Sequence, residues 1–132
     1  MFKLPAETAA LFNEIEAQQS FEPFLNHLAS EVEFSATIGC GTPVSGLFKG
    51  KQEVERYFRE ILPTVASFEQ LQPQEFVIAP GRAIILGDDQ YTILKNRKVY
   101  HSPYAMVLDI KEGLITKVLI IQDLSGIRDA YL

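Results

Sequence analysis

Two histidines, one cysteine, five tyrosines and a scatter of carboxylates carry whatever chemistry this chain performs. Imidazole is the side chain that titrates nearest neutrality, so His101 is the first candidate for a general acid or base. It shares strand parity with Asp109, whose position reads as solvent-facing unless Pro103 interrupts the alternation. Asp123 is the second catalytic candidate, a carboxylate able to orient a ligand or a base; the plainer alternative is a helix cap for the segment from Ser125 to Leu132. Tyr91, Tyr100 and Tyr104 supply phenol donors, as buried tyrosines do in many cores. Cys40 sits in a glycine-flanked loop but has no identifiable base to activate it. His27 lies beside an apolar stripe and is assigned no role. No cluster of His, Cys and carboxylate has metal-ligand spacing, so neither a metal nor a cofactor is expected. Two glycine-rich stretches fail as phosphate loops. Gly46-Leu47-Phe48-Lys49-Gly50-Lys51-Gln52 has the wrong spacing and no Ser or Thr after its lysine, and Gly39-Cys40-Gly41 opens no helix.

The elements that must position these residues follow from periodicity. Pro5 and Glu7 fit the start of a helix over Ala6 to Gln19. Ser20 can cap a shorter second helix whose inward face is Phe21, Phe24, Leu25 and Leu28. The period then becomes two: Val32, Phe34, Ala36 and Ile38 alternate with polar residues, which predicts a half-buried strand. After the loop at Gly39 to Pro43 and a short segment from Val44 to Phe48, a third helix is expected from Gly50 to about Leu62, stopped by Pro63. The second half reads as four strands, Leu71 to Ala79, Ala83 to Leu94, Val99 to Ile110 and Leu114 to Asp123. Their turns fall at Pro80-Gly81, Asn96-Arg97 and Glu112-Gly113. Gly87 inside the second of these marks a bulge or bend. Helices followed by an antiparallel meander predict an α+β domain, with three helices on one face of the sheet.

Composition bounds the rest. The chain has 132 residues, 47% hydrophobic and 22% charged, which suits one domain over residues 1–132 with a core of its own. Its formal net charge of −5 argues against a phosphate backbone or an anionic membrane as partner. A single cysteine fits a reducing, cytoplasmic setting. The N-terminal residues lack the apolar run of a signal peptide, and the longest apolar run, Val118 to Ile121, is strand-sized. Both faces of the last strand carry branched apolar residues, so the outer face, with Leu119 and Ile121, is expected to pair with a second copy as a homodimer.

The order of elements and several local strings resemble the nuclear-transport-factor-2-like superfamily, in its SnoaL-like and ketosteroid-isomerase-like branch. The strings are Ser20 to Leu25 running into Leu28 to Phe34, Val44 to Glu53 with Val54 and Phe58, and the hairpin Val107 to Ile115. Asp123 falls where many SnoaL-like members carry an acid after the last strand. The resemblance implies a curled sheet forming a cone, with three helices on its concave face around an apolar pocket. It also implies a hydrophobic small-molecule ligand. Steroid isomerases of this superfamily need a carboxylate base after the first strand, together with a tyrosine and a protonated aspartate as donors. Here Phe34 to Ile38 holds no carboxylate, Ala105 or Met106 stands at the acid's place, and Phe12-Asn13 lies near the tyrosine's. Epoxide hydrolases of the fold need an acid where Ile120 stands, and carotenoid binders use a Trp, of which this chain has none.

The expected pocket is therefore apolar with a few polar points. Tyr104, Met106, Val118, Ile120 and Gln122 line it by strand parity, and Phe24, Phe34, Tyr57 and Phe58 roof it. An ordinary filled core is the alternative for the same residues. Function divides the same way: acid/base isomerase, cyclase or hydrolase chemistry led by His101 or Asp123, or a non-catalytic carrier, sensor or interaction module.

Overall fold

A computed structural model describes residues 22–36, 46–72 and 74–122. The expected helix over Ala6 to Gln19, the Cys40 loop and Asp123 lie outside the described residues. The described chain opens with a short helix, α1 (Glu22–Asn26), that runs into strand β1 (Leu28–Ala36). Leu28 thus packs from a strand and not from the helix expected to carry it. The cause is a non-local bond: the Ile115 N–H donates to the His27 carbonyl at 2.7 Å, drawing the chain into the sheet. A register shift between Leu28 and Glu33 breaks the alternation there, so Leu28 and Ala29 are both buried.

Strand β2 (Gly46–Lys49) pairs with β1, and three helical segments follow without a break. They are α2 (Lys51–Arg56), a π-helical turn (Tyr57–Ile61) and α3 (Leu62–Val65). Pro63 does not stop the helix. In the wide turn the Leu62 N–H reaches back five residues to the Tyr57 carbonyl. Pro63 then falls in the first turn of a new α segment, where its missing N–H costs little.

Strands β3 (Ala66–Gln70), β4 (Glu75–Ala79), β5 (Arg82–Ile93), β6 (Val99–Lys111) and β7 (Leu114–Gln122) complete a mixed α+β architecture. The sheet is curled and unclosed, in the order β2-β1-β7-β6-β5-β3, with β4 also on β5. It is not wholly antiparallel, because β1 and β7 run parallel. Strand β3 was not expected, and the strand predicted from Leu71 begins at Glu75. Both pair with β5 along one edge. Strand β3 pairs with β5 as far as Gln70↔Asp89 and β4 from Glu75↔Leu86, so the irregularity foreseen at Gly87 lies in the pairing beside it, while the register of β5 with β6 is unbroken there.

The core seats the helix on one face of the sheet. Phe34, fully buried, has its ring centroid 4.8 Å from Tyr57, 5.2 Å from Phe58 and 6.1 Å from Phe48, and Phe24 meets Phe58 edge-on at 5.4 Å. Phe24, Phe34, Tyr57, Phe58, Val118 and Ile120, all expected to line a pocket, are buried in this cluster.

The outer face carries a cross-strand row Leu47, Ser35, Leu119, Val107, Ile84, Val77. Leu47, Val77 and nearby Ile121 are 55%, 52% and 50% exposed. Alongside runs a second row of alternating sign: Lys49, Glu33, Lys117, Asp109, Arg82. Among the described residues no helix is long and apolar enough to cross a membrane.

Truncating Phe34 to Ala should remove the hub of the aromatic cluster at a cost of about 3–5 kcal/mol, read as a lowered urea midpoint with an unchanged slope. A loss under about 1 kcal/mol would mean that the helix is not held to the sheet through this ring.

Candidate functional site

The register from Arg82↔Asp109 to Thr92↔Val99 is unbroken, so residue parity on β5 and β6 assigns each side chain to a face. Helix-facing positions on β5 are Ala83, Ile85, Gly87, Asp89, Tyr91 and Ile93; on β6 they are Tyr100, Ser102, Tyr104, Met106 and Leu108. Met106, one of two counterparts of the steroid isomerases' acid, therefore faces inward against Ile85 and Ile120, and Ala105 faces out.

Among the described residues this face of the sheet carries a single carboxylate. Asp89 is only 6% exposed, and it lies directly opposite Ser102. On one side of this pair runs the row Phe68, Tyr91, Tyr100; on the other runs Gly87, Tyr104, Gln122. Tyr91 and Tyr100 stack at 5.2 Å with 12° between their planes, and Phe68 lies 5.7 Å from Tyr91. The Tyr104 ring lies across Gly87, where an added Cβ would come within 2.2 Å of it. Only glycine admits the ring there. The Tyr104 hydroxyl accepts a hydrogen bond from Gln74 Nε2 at 2.8 Å, and Gln122 Nε2 donates to Ser102 Oγ at 3.0 Å.

Burial pushes the Asp89 carboxyl up to about 6, and the neighbouring Asp88 charge adds to the effect against a hydrogen bond from Tyr91. Tyr91 and Tyr100 are held well above the ordinary phenol range by burial. Tyr104 is pushed up to about 12 for the same reason, against its bond with Gln74. The phenols therefore stay protonated as donors, and Asp89 can change charge near neutrality.

His101 stands on the other face. It pairs in register with Gln90, its side chain is 59% exposed, and its Nε2 meets Asp88 Oδ1. Pro103 does not break the alternation, so His101 is separated by the sheet from Tyr104, Met106, Ile120 and Gln122, which share the helix-facing side. Asp89 was missed, though a signal existed: it is the one carboxylate at the parity of Ala83, Ile85, Tyr91 and Ile93. No group of three or more potential metal ligands occurs among the described residues.

Comparison with solved structures shows the NTF2-like fold. An NTF2-like protein from Burkholderia xenovorans LB400 matches with a TM-score of 0.80 at 13% identity, covering 96% of each chain. TerC, co-crystallised with polyporic acid, matches at 0.71 and 15% identity over 95% of each chain. A provisionally assigned polyketide cyclase from Pseudomonas putida KT2440 matches at 0.70 and 14% identity over 96% of each. The resemblance read from the sequence is thus met in the fold, and at such identities chemistry must come from the residues. No protein-family model matches the sequence, and no curated protein matches it closely enough to count.

A carboxyl held in its neutral form by burial is easier to fold at low pH than at high pH. Wild-type stability should therefore fall as pH rises from the ordinary carboxyl value of 3.8 through about 6. Asp89→Asn removes this dependence, so the melting-temperature gain of the variant should grow across that window and level off above it. A difference that is flat with pH would show that burial does not strain the ionised carboxylate.

Proposed function

We propose that the chain holds a small apolar or aromatic molecule against the helix-facing side of its sheet and exchanges a proton with it through Asp89. In this reading the sheet and its helices form a conical pocket. The observation that carries it is the single carboxyl, 6% exposed and held up to about 6, among phenols that stay protonated. A group poised there can act as general base or acid near neutrality, and Tyr91, Tyr100 and Tyr104 can orient a carbonyl or hydroxyl. The fold neighbours lend support, since one was co-crystallised with polyporic acid and another is provisionally a polyketide cyclase. Met106, Ile120 and Gln122 supply the apolar wall and one amide. Asp123, one residue beyond β7, is a candidate second acid. The non-catalytic alternative uses the same surface to carry the ligand unchanged.

Native mass spectrometry of protein purified from its own host should reveal a retained small molecule. With that molecule as substrate, Asp89→Asn should lower turnover by about 10²–10⁴-fold, the usual worth of a general acid or base. His101→Ala should leave turnover within about twofold, since its side chain lies on the outer face. Asp123→Asn measured beside them reads the second acid. Retention without turnover in every variant would establish the carrier instead.

On the outer face, the proposed partner is a second copy of the chain. The apolar row bordered by charges of alternating sign is self-complementary, because a two-fold copy offset by one strand sets cations against anions. Leu119→Lys should convert a dimer to a monomer in sedimentation while leaving the circular dichroism intact. A wild-type monomer at micromolar concentration would remove the idea.

A further inference from the structure

The charge of the ligand can be read from the surroundings of Asp89. We propose that the site takes an organic cation, a protonated amine on an apolar or aromatic body, with Asp89 as its counter-ion and tyrosine rings as its walls. This rests on the reading that the helix-facing surface binds a small molecule, and adds that molecule's charge.

Three cross-strand rows make up the site: Phe68-Tyr91-Tyr100, Gln70-Asp89-Ser102 and Gly87-Tyr104-Gln122. None contains Lys, Arg or His, so they give a buried carboxylate hydrogen bonds but no opposite charge. The charge that acts on it, Asp88, is of the same sign. Among the described residues of these rows Asp89 has no countercharge, and a cation entering beside it supplies one where little water screens it, whereas an anion would meet one acid and its neighbour.

The walls favour the same guest. Aromatic faces attract cations through the negative potential over the ring, and here aromatic rows flank the carboxyl on both sides. Tyr91 and Tyr100 form a parallel stack in the row before Asp89, and Tyr104 is laid flat across Gly87 in the row after it. Tyr91, Tyr100 and Tyr104 are each half-buried, and Phe68 continues their row to the exposed edge strand. The aromatic surface therefore runs from solvent to the acid. The proton balance is simple. A neutral amine meeting protonated Asp89 forms an N–H bond as the carboxyl O–H breaks, which leaves an ammonium–carboxylate pair and needs no other reactant.

Three probes matched in size test this: phenethylammonium, 2-phenylethanol and 3-phenylpropanoate, titrated at neutral pH into the full chain and read by NMR at the tyrosine resonances. The ammonium should bind roughly tenfold tighter than the alcohol, and the carboxylate most weakly. The preference should vanish in Asp89→Asn. It should shrink in Tyr100→Leu, which removes an aromatic wall and keeps the acid; amide spectra of both variants check that the fold survives. An alcohol or carboxylate that matches the ammonium, or a preference that persists in Asp89→Asn, overturns the inference while the small-molecule reading stands. If none of the three perturbs Tyr91, Tyr100 or Tyr104 at millimolar concentration, both fall.

Discussion

The unbroken ladder between β5 and β6 is the constraint on which the rest of the structure depends. Eleven residue pairs, from Arg82↔Asp109 to Thr92↔Val99, keep one register. Because side chains alternate along a strand, a slip of β5 by a single residue against β6 would turn Asp89 outward and bring Asp88 in. The apolar partners Ala83, Ile85 and Ile93 hold the register, since all three are buried under the helix and could not be exposed cheaply. The site is thus positioned by residues that have no chemistry of their own.

That arrangement has a cost that the surrounding residues limit without removing. Burying a carboxyl disfavours its charged form, and the Tyr91 hydrogen bond offsets only part of the penalty, as the upward shift to about 6 shows. Tyr104 brings a further constraint. Its ring occupies the space above Gly87, at the point on β5 between the end of β3 and the start of β4. Glycine and tyrosine form one unit: the missing side chain makes room for the ring, whose hydroxyl takes a hydrogen bond from Gln74 at 2.8 Å. Local rules are broken here and kept elsewhere, which is the pattern expected where structure serves binding more than stability.

The sequence was most legible where a pattern is local. The three hairpin turns of the second half, the alternation in Val32 to Ala36 and the outward parity of His101 with Asp109 all rest on neighbours in the chain, and the structure has them. Where non-local bonds decide, the reading failed. Leu28 leaves the helix because a strand nearly ninety positions later takes the His27 carbonyl. Helix propagation past Pro63 needs a π turn whose reason is the packing of Tyr57 and Phe58 on Phe34. Strand β3 had no alternating signature, since only Ala66 of its five residues is buried. Asp89 is a different case: its parity was available, and it was passed over because histidine draws attention as the neutral-pH group before a carboxylate whose environment cannot be seen.

The fold's relation to chemistry follows from that last point. An NTF2-like sheet offers many inward positions, and the residues at them set what each protein can do. Of the two positions that the resemblance sets against the steroid isomerases' acid, this chain turns Ala105 outward and Met106 inward, in register with Ile85 and Ile120. Its inward carboxyl stands instead on β5, one strand over, walled by tyrosines. Moving an acid from one strand to the next changes which rings flank it and which part of a ligand it meets, while the register, the core and the outer face stay as they were. Close agreement in fold with proteins of 13–15% identity therefore leaves the chemistry to the inward positions, and in this chain the rows that border Asp89 are where a carboxylate and tyrosines stand together.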